Sequence, residues 1–149
     1  RYPYDILYDN EGVCGEKSEL LVFLLRELKY GVALFYHSEE NHESVGIKCP
    51  VEQSLYGTGF CFVETTGPSI MTDSSLQYVG GVTLSSKPEV LLISDGISLS
   101  SGLYEYRDAG INGKINKVIQ KRGRINPLQY LRKNALKEKY GLVDMYNPG

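Results

Sequence analysis

Leu20, Leu21, Leu24, Leu25 and Leu28 recur at three- and four-residue spacing, which commits the segment from about Gly15 to Lys29 to an amphipathic helix. Lys29-Tyr30-Gly31 then reads as its end, with Gly31 able to take the left-handed cap conformation. Directly ahead of the helix stands Gly12-Val13-Cys14-Gly15, one cysteine between two glycines. A sulfur there meets the unpaired N–H groups of the first turn and the positive end of the helix dipole, and both favour thiolate over thiol. A lone cysteine ahead of a helix is often no more than a small core hydrophobe, so the catalytic reading depends on the residues downstream.

Downstream of the helix comes a run of strand patterns. Val32 to His37 is a mostly buried strand, Ser38-Glu39-Glu40-Asn41 a polar turn, and Ser44 to Cys49 alternates with period two until Pro50 stops it. Gly59 to Thr66 is rich in aromatic and β-branched residues and ends at Gly67-Pro68, and Val90 to Ser94 reads as a further strand. Asp95-Gly96 is a hairpin signal before Ile97-Ser98-Leu99, and Leu103 to Tyr106 reads as one more short strand. Asn126-Pro127 opens a last helix with an apolar face of Leu128, Leu131, Ala135 and Leu136, closed by Gly141. A helix succeeded by strands predicts an α+β fold with an antiparallel sheet.

The 149 residues suffice for one domain with a real core. Charge is uneven: residues 114–149 hold 9 basic and 2 acidic side chains, whereas residues 1–66 hold 5 and 11. The expected division is a core over 1–113 and a basic helical extension over 114–149, solvated or docked on the acidic part of its own chain, with no nucleic acid expected as partner. No apolar run approaches the ~20 residues that span a bilayer. The chain opens on Arg1 rather than Met, so the expectation is a soluble piece of a longer, secreted or membrane-anchored protein. Oligomeric state is not legible. Three cysteines without a C-x-x-C exclude a pure disulfide framework and disfavour structural zinc.

Three residues at the edges of this pattern compose a nucleophilic site: Cys14 at the helix entrance, His42 at the start of one strand and Glu64 on the next. Antiparallel pairing would set His42 beside Glu64, since Ser44 and Gly46 share the face of His42 while Phe60 and Phe62 share that of Glu64. Cys49 and Cys61 then fall on the opposite face, as thiols or as a disulfide, and this also disfavours zinc held by Cys14, His42, Cys49 and Cys61. His37 competes with His42 but ends a strand whose other members look buried. A carboxylate such as Glu64 among apolar neighbours needs a partner. A base beside the sulfur generates thiolate, and a carboxylate holds the imidazole in one tautomer.

With those residues in place, the sequence resembles a known family. Gly12-Val13-Cys14-Gly15-Glu16-Lys17-Ser18, running into Leu24-Leu25-Arg26-Glu27-Leu28-Lys29-Tyr30-Gly31-Val32, is similar to the core of transglutaminase-like proteins. Asn41-His42 with Val45-Gly46-Ile47 resembles that family's histidine strand, and Val63-Glu64-Thr65-Thr66 its acid strand. The resemblance covers about residues 2–70. It implies a papain-like arrangement, a catalytic helix on an antiparallel sheet. It also implies Cys14 as nucleophile, His42 as general base and acid, and Glu64 as orienting carboxylate, with no cofactor or metal. The oxyanion hole would use the Cys14 N–H and an upstream donor, for which Tyr8 and Asn10 are the candidates. The chain departs from the family in having Glu64 for Asp, Ser44 where an aromatic residue is common, and Lys29 where glycine is frequent. The implied activity is thiol acyl transfer on a peptide or protein substrate, with hydrolysis of a peptide or amide bond preferred. The alternatives are a cross-linking acyl transferase and a catalytically weak binding or scaffold domain.

Overall fold

The computed structural model describes residue 5, residues 14–75 and residues 83–142, with Cys14 described by its backbone alone. Helix α1 (Cys14–Glu27) is followed by strands β1 (Val32–His37), β2 (His42–Lys48), β3 (Phe60–Val63) and β4 (Glu89–Ser94), then by helices α2 (Tyr104–Arg122) and α3 (Pro127–Tyr140). The strands form one sheet in the order β3-β2-β1-β4, every neighbouring pair antiparallel. Among the described residues the fold is therefore α+β, with three α-helices and a four-stranded antiparallel sheet. Among the described residues no helix is long and apolar enough to cross a membrane.

The sheet is built around the β1–β2 hairpin, in which His37 pairs with His42 and the turn between them bends through Asn41 at φ 48. Asparagine tolerates that left-handed backbone better than most residues. Register then sorts the side chains. Ala33, Phe35, His37, His42, Ser44, Gly46 and Phe62 share one face, and Val32, Leu34, Val45, Ile47, Cys61 and Val63 share the other. Gly46 makes room on the first face: a Cβ there would lie 2.8 Å from the Phe35 ring. On the second face α1 packs Val22 against Val32 and Val45, with Leu21 and Leu25 half-buried beside them. Further along, Ile47, Cys49 and Cys61 close with Tyr106 of α2, and Cys49 is disulfide-bonded to Cys61. A third cluster, Ile70 with Ala109, Leu136 and Leu142, ties α2 and α3 together.

Several expectations are corrected. The stripe that α1 buries runs through Ser18 and Val22, while Leu24 and Leu28 are 42% and 63% exposed. The left-handed residue at its end is Lys29, at φ 69, and the Tyr30 N–H closes on the Leu25 carbonyl. Gly31 serves close approach instead, since a Cβ there would meet Lys48 at 2.8 Å.

Asp95-Gly96 makes no hairpin. Residues 95–99 cross the end of the sheet, where Ile97 forms a lone parallel bridge with Tyr30. A Cβ on Gly96 would stand 2.4 Å from the Lys29 carbonyl oxygen, so this glycine answers a backbone contact rather than a turn.

Leu103 to Tyr106 is the start of α2 and not a strand. The buried side of α2 is Tyr106, Asp108, Ala109, Asn112 and Ile115, and its two polar members hide the helical period. This helix also runs unbroken through residues 113–114, so the change of charge there is no element boundary.

In α3 the expected cap is present. Asn126 accepts from the Gln129 N–H, the Gln129 side chain accepts from the Asn126 N–H, and Gly141 takes φ 64 at the other end. Of its expected apolar face only Leu136 is buried, while Leu128 and Leu131 are 59% and 65% exposed.

Candidate active site

The sheet brings the two side chains expected to form an acid–base pair into contact. His42 Nε2 lies 2.8 Å from Glu64 Oε2, with the imidazole 1% and the carboxylate 7% exposed. The β2–β3 ladder pairs Val45 with Val63, so continuing it by one residue sets position 64 opposite Ser44 rather than His42. Glu64 must lean diagonally to reach the ring, a span that its extra methylene over aspartate helps to cover.

The second carboxylate oxygen is held independently. Glu64 Oε1 accepts from the Thr65 N–H at 2.8 Å, the Thr66 N–H at 2.9 Å and the Thr66 hydroxyl at 2.9 Å. Burial alone would raise the Glu64 pKa, but the hydrogen bonds from His42 and Thr66 and the nearby imidazole outweigh it and hold the carboxyl below its ordinary value. One oxygen is thus anchored by its own chain while the other orients the imidazole through Nε2. Proton exchange between His42 and any further group then runs through Nδ1.

Helix α1 begins at the same end of the sheet. The Ser18 hydroxyl, fully buried, lies 3.0 Å from Thr65 Oγ1 and donates to the Glu43 carbonyl at 3.4 Å. Val22 packs one turn later against Val45 and Val32, so helix and β2 advance in the same direction. Four helical residues rise about 6 Å, close to the ~6.6 Å of two strand residues. One turn ahead of Ser18, the Cys14 backbone therefore stands level with the start of β2 along the strand, on the side of the sheet that α1 covers, whereas the β1–β2 register assigns His42 to the other face. The Cys14 side chain lies outside the described residues, as do Tyr8 and Asn10 entirely.

His37, the other histidine, is engaged elsewhere. Its Nδ1 lies 3.1 Å from the Ser86 carbonyl, and its ring stands edge-on to Phe62. Burial lowers its pKa against the opposing pull of that carbonyl and of Glu40. The Cys49–Cys61 disulfide occupies two of the four groups that the zinc alternative required. Among the described residues no three His, Cys, Asp or Glu side chains gather as metal ligands.

Reasoning from sequence missed Thr65, Thr66 and Ser18. The two threonines come directly after the carboxylate, where hydroxyl and N–H groups most readily cap it, and that adjacency is the signal that could have found them. Ser18 carries a subtler one, a small polar residue one turn from both Cys14 and the buried Val22.

No protein-family model, curated protein or solved structure matches this chain.

Proposed function

We propose that the chain carries a transglutaminase-like thiol acyl-transfer site and hydrolyses a peptide or amide bond. Cys14 is the nucleophile, His42 the general base and acid, and Glu64 the positioning carboxylate, in a papain-like arrangement of α1 on the sheet. The supporting observation is the buried His42–Glu64 hydrogen bond at the sheet end where α1 begins. In this reading Cys14 Sγ passes its proton to His42 and adds to the carbonyl carbon. The C–N bond breaks as the imidazolium returns a proton to the amine. Water then cleaves the thioester and regenerates the thiol.

The test is the rate of Cys14 alkylation against pH, followed by mass spectrometry in the wild type and in His42→Ala. A thiolate–imidazolium pair keeps the rate high at pH 5–6 and loses that limb without His42. A single titration near the free thiol value of ~8.5, unmoved by the substitution, would overturn the assignment. Incubating the acyl-enzyme with a primary amine then separates hydrolysis from cross-linking.

A further inference from the structure

A cleft lined by none of the His42–Glu64 site residues lies where the C-terminal end of α2 meets the start of α3. It has a volume of about 550 Å3 and an apolar floor of Val118 and Ile125. Its rim holds Lys117, Lys121, Arg122 and Arg124, together with Asn126 and Gln129. Lys117 and Lys121 are one turn apart on α2, so they share a flank of that helix. The four cations make no salt bridge and no hydrogen bond with any described residue, in contrast to Lys139, which is paired with Asp108 at 2.6 Å.

The two amides add to this bias. Asn126 Oδ1 accepts from the Gln129 N–H at 2.8 Å, and Gln129 Oε1 accepts from the Asn126 N–H at 3.1 Å. Their acceptor oxygens are thereby taken by the capping box, and what each amide still offers is its NH2 group. Every polar side chain on the rim is then a donor, six in all counting both amides. A ligand that satisfies such a lining must consist of acceptors and carry several negative charges. The cavity is of the size that takes a nucleotide-sized molecule.

We propose that this cleft binds a small molecule bearing two or more phosphate groups, its oxygens on Lys117, Lys121, Arg122 and Arg124 and its less polar part on Val118 and Ile125. The same phosphate chemistry occurs as a free polyphosphate or as the phosphate chain of a nucleotide.

Calorimetric titration of the chain with tripolyphosphate, with adenosine triphosphate and with adenosine at low salt tests it. Lys121→Gln and Arg124→Gln serve as cleft variants, and Lys87→Gln is a control of equal charge loss outside the cleft. Binding of at least one phosphate ligand at submillimolar concentration is expected, weakened fivefold or more by each cleft variant and less than twofold by Lys87→Gln. Equal affinity for both ligands assigns the site to free polyphosphate, and tighter binding of the triphosphate nucleotide assigns it to nucleotides. No heat at millimolar ligand, equal weakening by all three variants, or binding of adenosine alone would overturn the proposal. Circular dichroism of each variant separates lost binding from lost fold.

Discussion

Replacing Glu64 by glutamine removes one charge and leaves the shape of the site almost unchanged. The glutamine can keep its oxygen on the Thr65 and Thr66 donors, but it cannot offer His42 a charged acceptor. What is lost is a charge-assisted hydrogen bond between groups 1% and 7% exposed, where solvent screens little. Such bonds contribute about 1.5–3 kcal/mol, so Glu64→Gln is expected to destabilise the fold by about 2 kcal/mol at pH 7. With a urea slope of ~2 kcal/mol/M, the unfolding midpoint should fall by about 1 M.

The pH dependence carries the sharper test. The Glu64 carboxyl is held below its ordinary value in the folded chain, so its contribution is complete above the unfolded value of ~4.3. That contribution is lost as pH falls through the lower folded value. Urea unfolding of wild type and Glu64→Gln at pH 7, 5, 4 and 3 should therefore show two curves converging as the wild-type carboxyl takes up its proton. A difference below 0.5 kcal/mol at pH 7, or one that stays constant down to pH 3, would mean that the buried hydrogen bond between Glu64 and His42 does not form.

Two further outcomes concern the fold. Cys49→Ser with Cys61→Ser removes a bridge across a sequence separation of 12, and loop-closure entropy puts the loss at about 3 kcal/mol. A thermal midpoint unchanged by the double substitution, in a Cys14→Ser background, would show that the bridge contributes nothing. Gly96→Ala drives a methyl into the Lys29 carbonyl and the Tyr30 backbone, atoms that cannot swing aside, and should cost about 1–3 kcal/mol. A variant as stable as wild type in urea would refute that close approach.

The strands were legible because their signals are local. Val32 to Tyr36 is an uninterrupted run of apolar and aromatic residues, and the alternation around Val45 decides which side chains share a face. That parity alone put His42 with Glu64 and turned Cys49 and Cys61 away. The α3 cap was legible for the same reason, since Asn126, Pro127 and Gly141 act through their own backbone.

The features that escaped depend on distant partners. Helix α2 buries Asp108, which Lys139 and Tyr140 bond, and Asn112, whose amide nitrogen donates to Asp73, so its inward side does not look apolar. Gly96 resembles a turn glycine until the Lys29–Gly31 backbone arrives beside it. Of the site, the pair was readable but its anchor was not, because Thr66 matters only once Glu64 has bent back over its own chain.

The Cys49–Cys61 bridge bears on how the molecule reaches its native state under oxidising conditions. Three thiols allow three alternative bridges, and the two that involve Cys14 would close loops roughly three and four times longer. In an unfolded chain each such closure is less probable by about 1 kcal/mol of entropy. The shortest loop is also the one that β2–β3 pairing brings together, so chain statistics and native topology select the same partners. Both bridges to Cys14 are thereby disfavoured during oxidation.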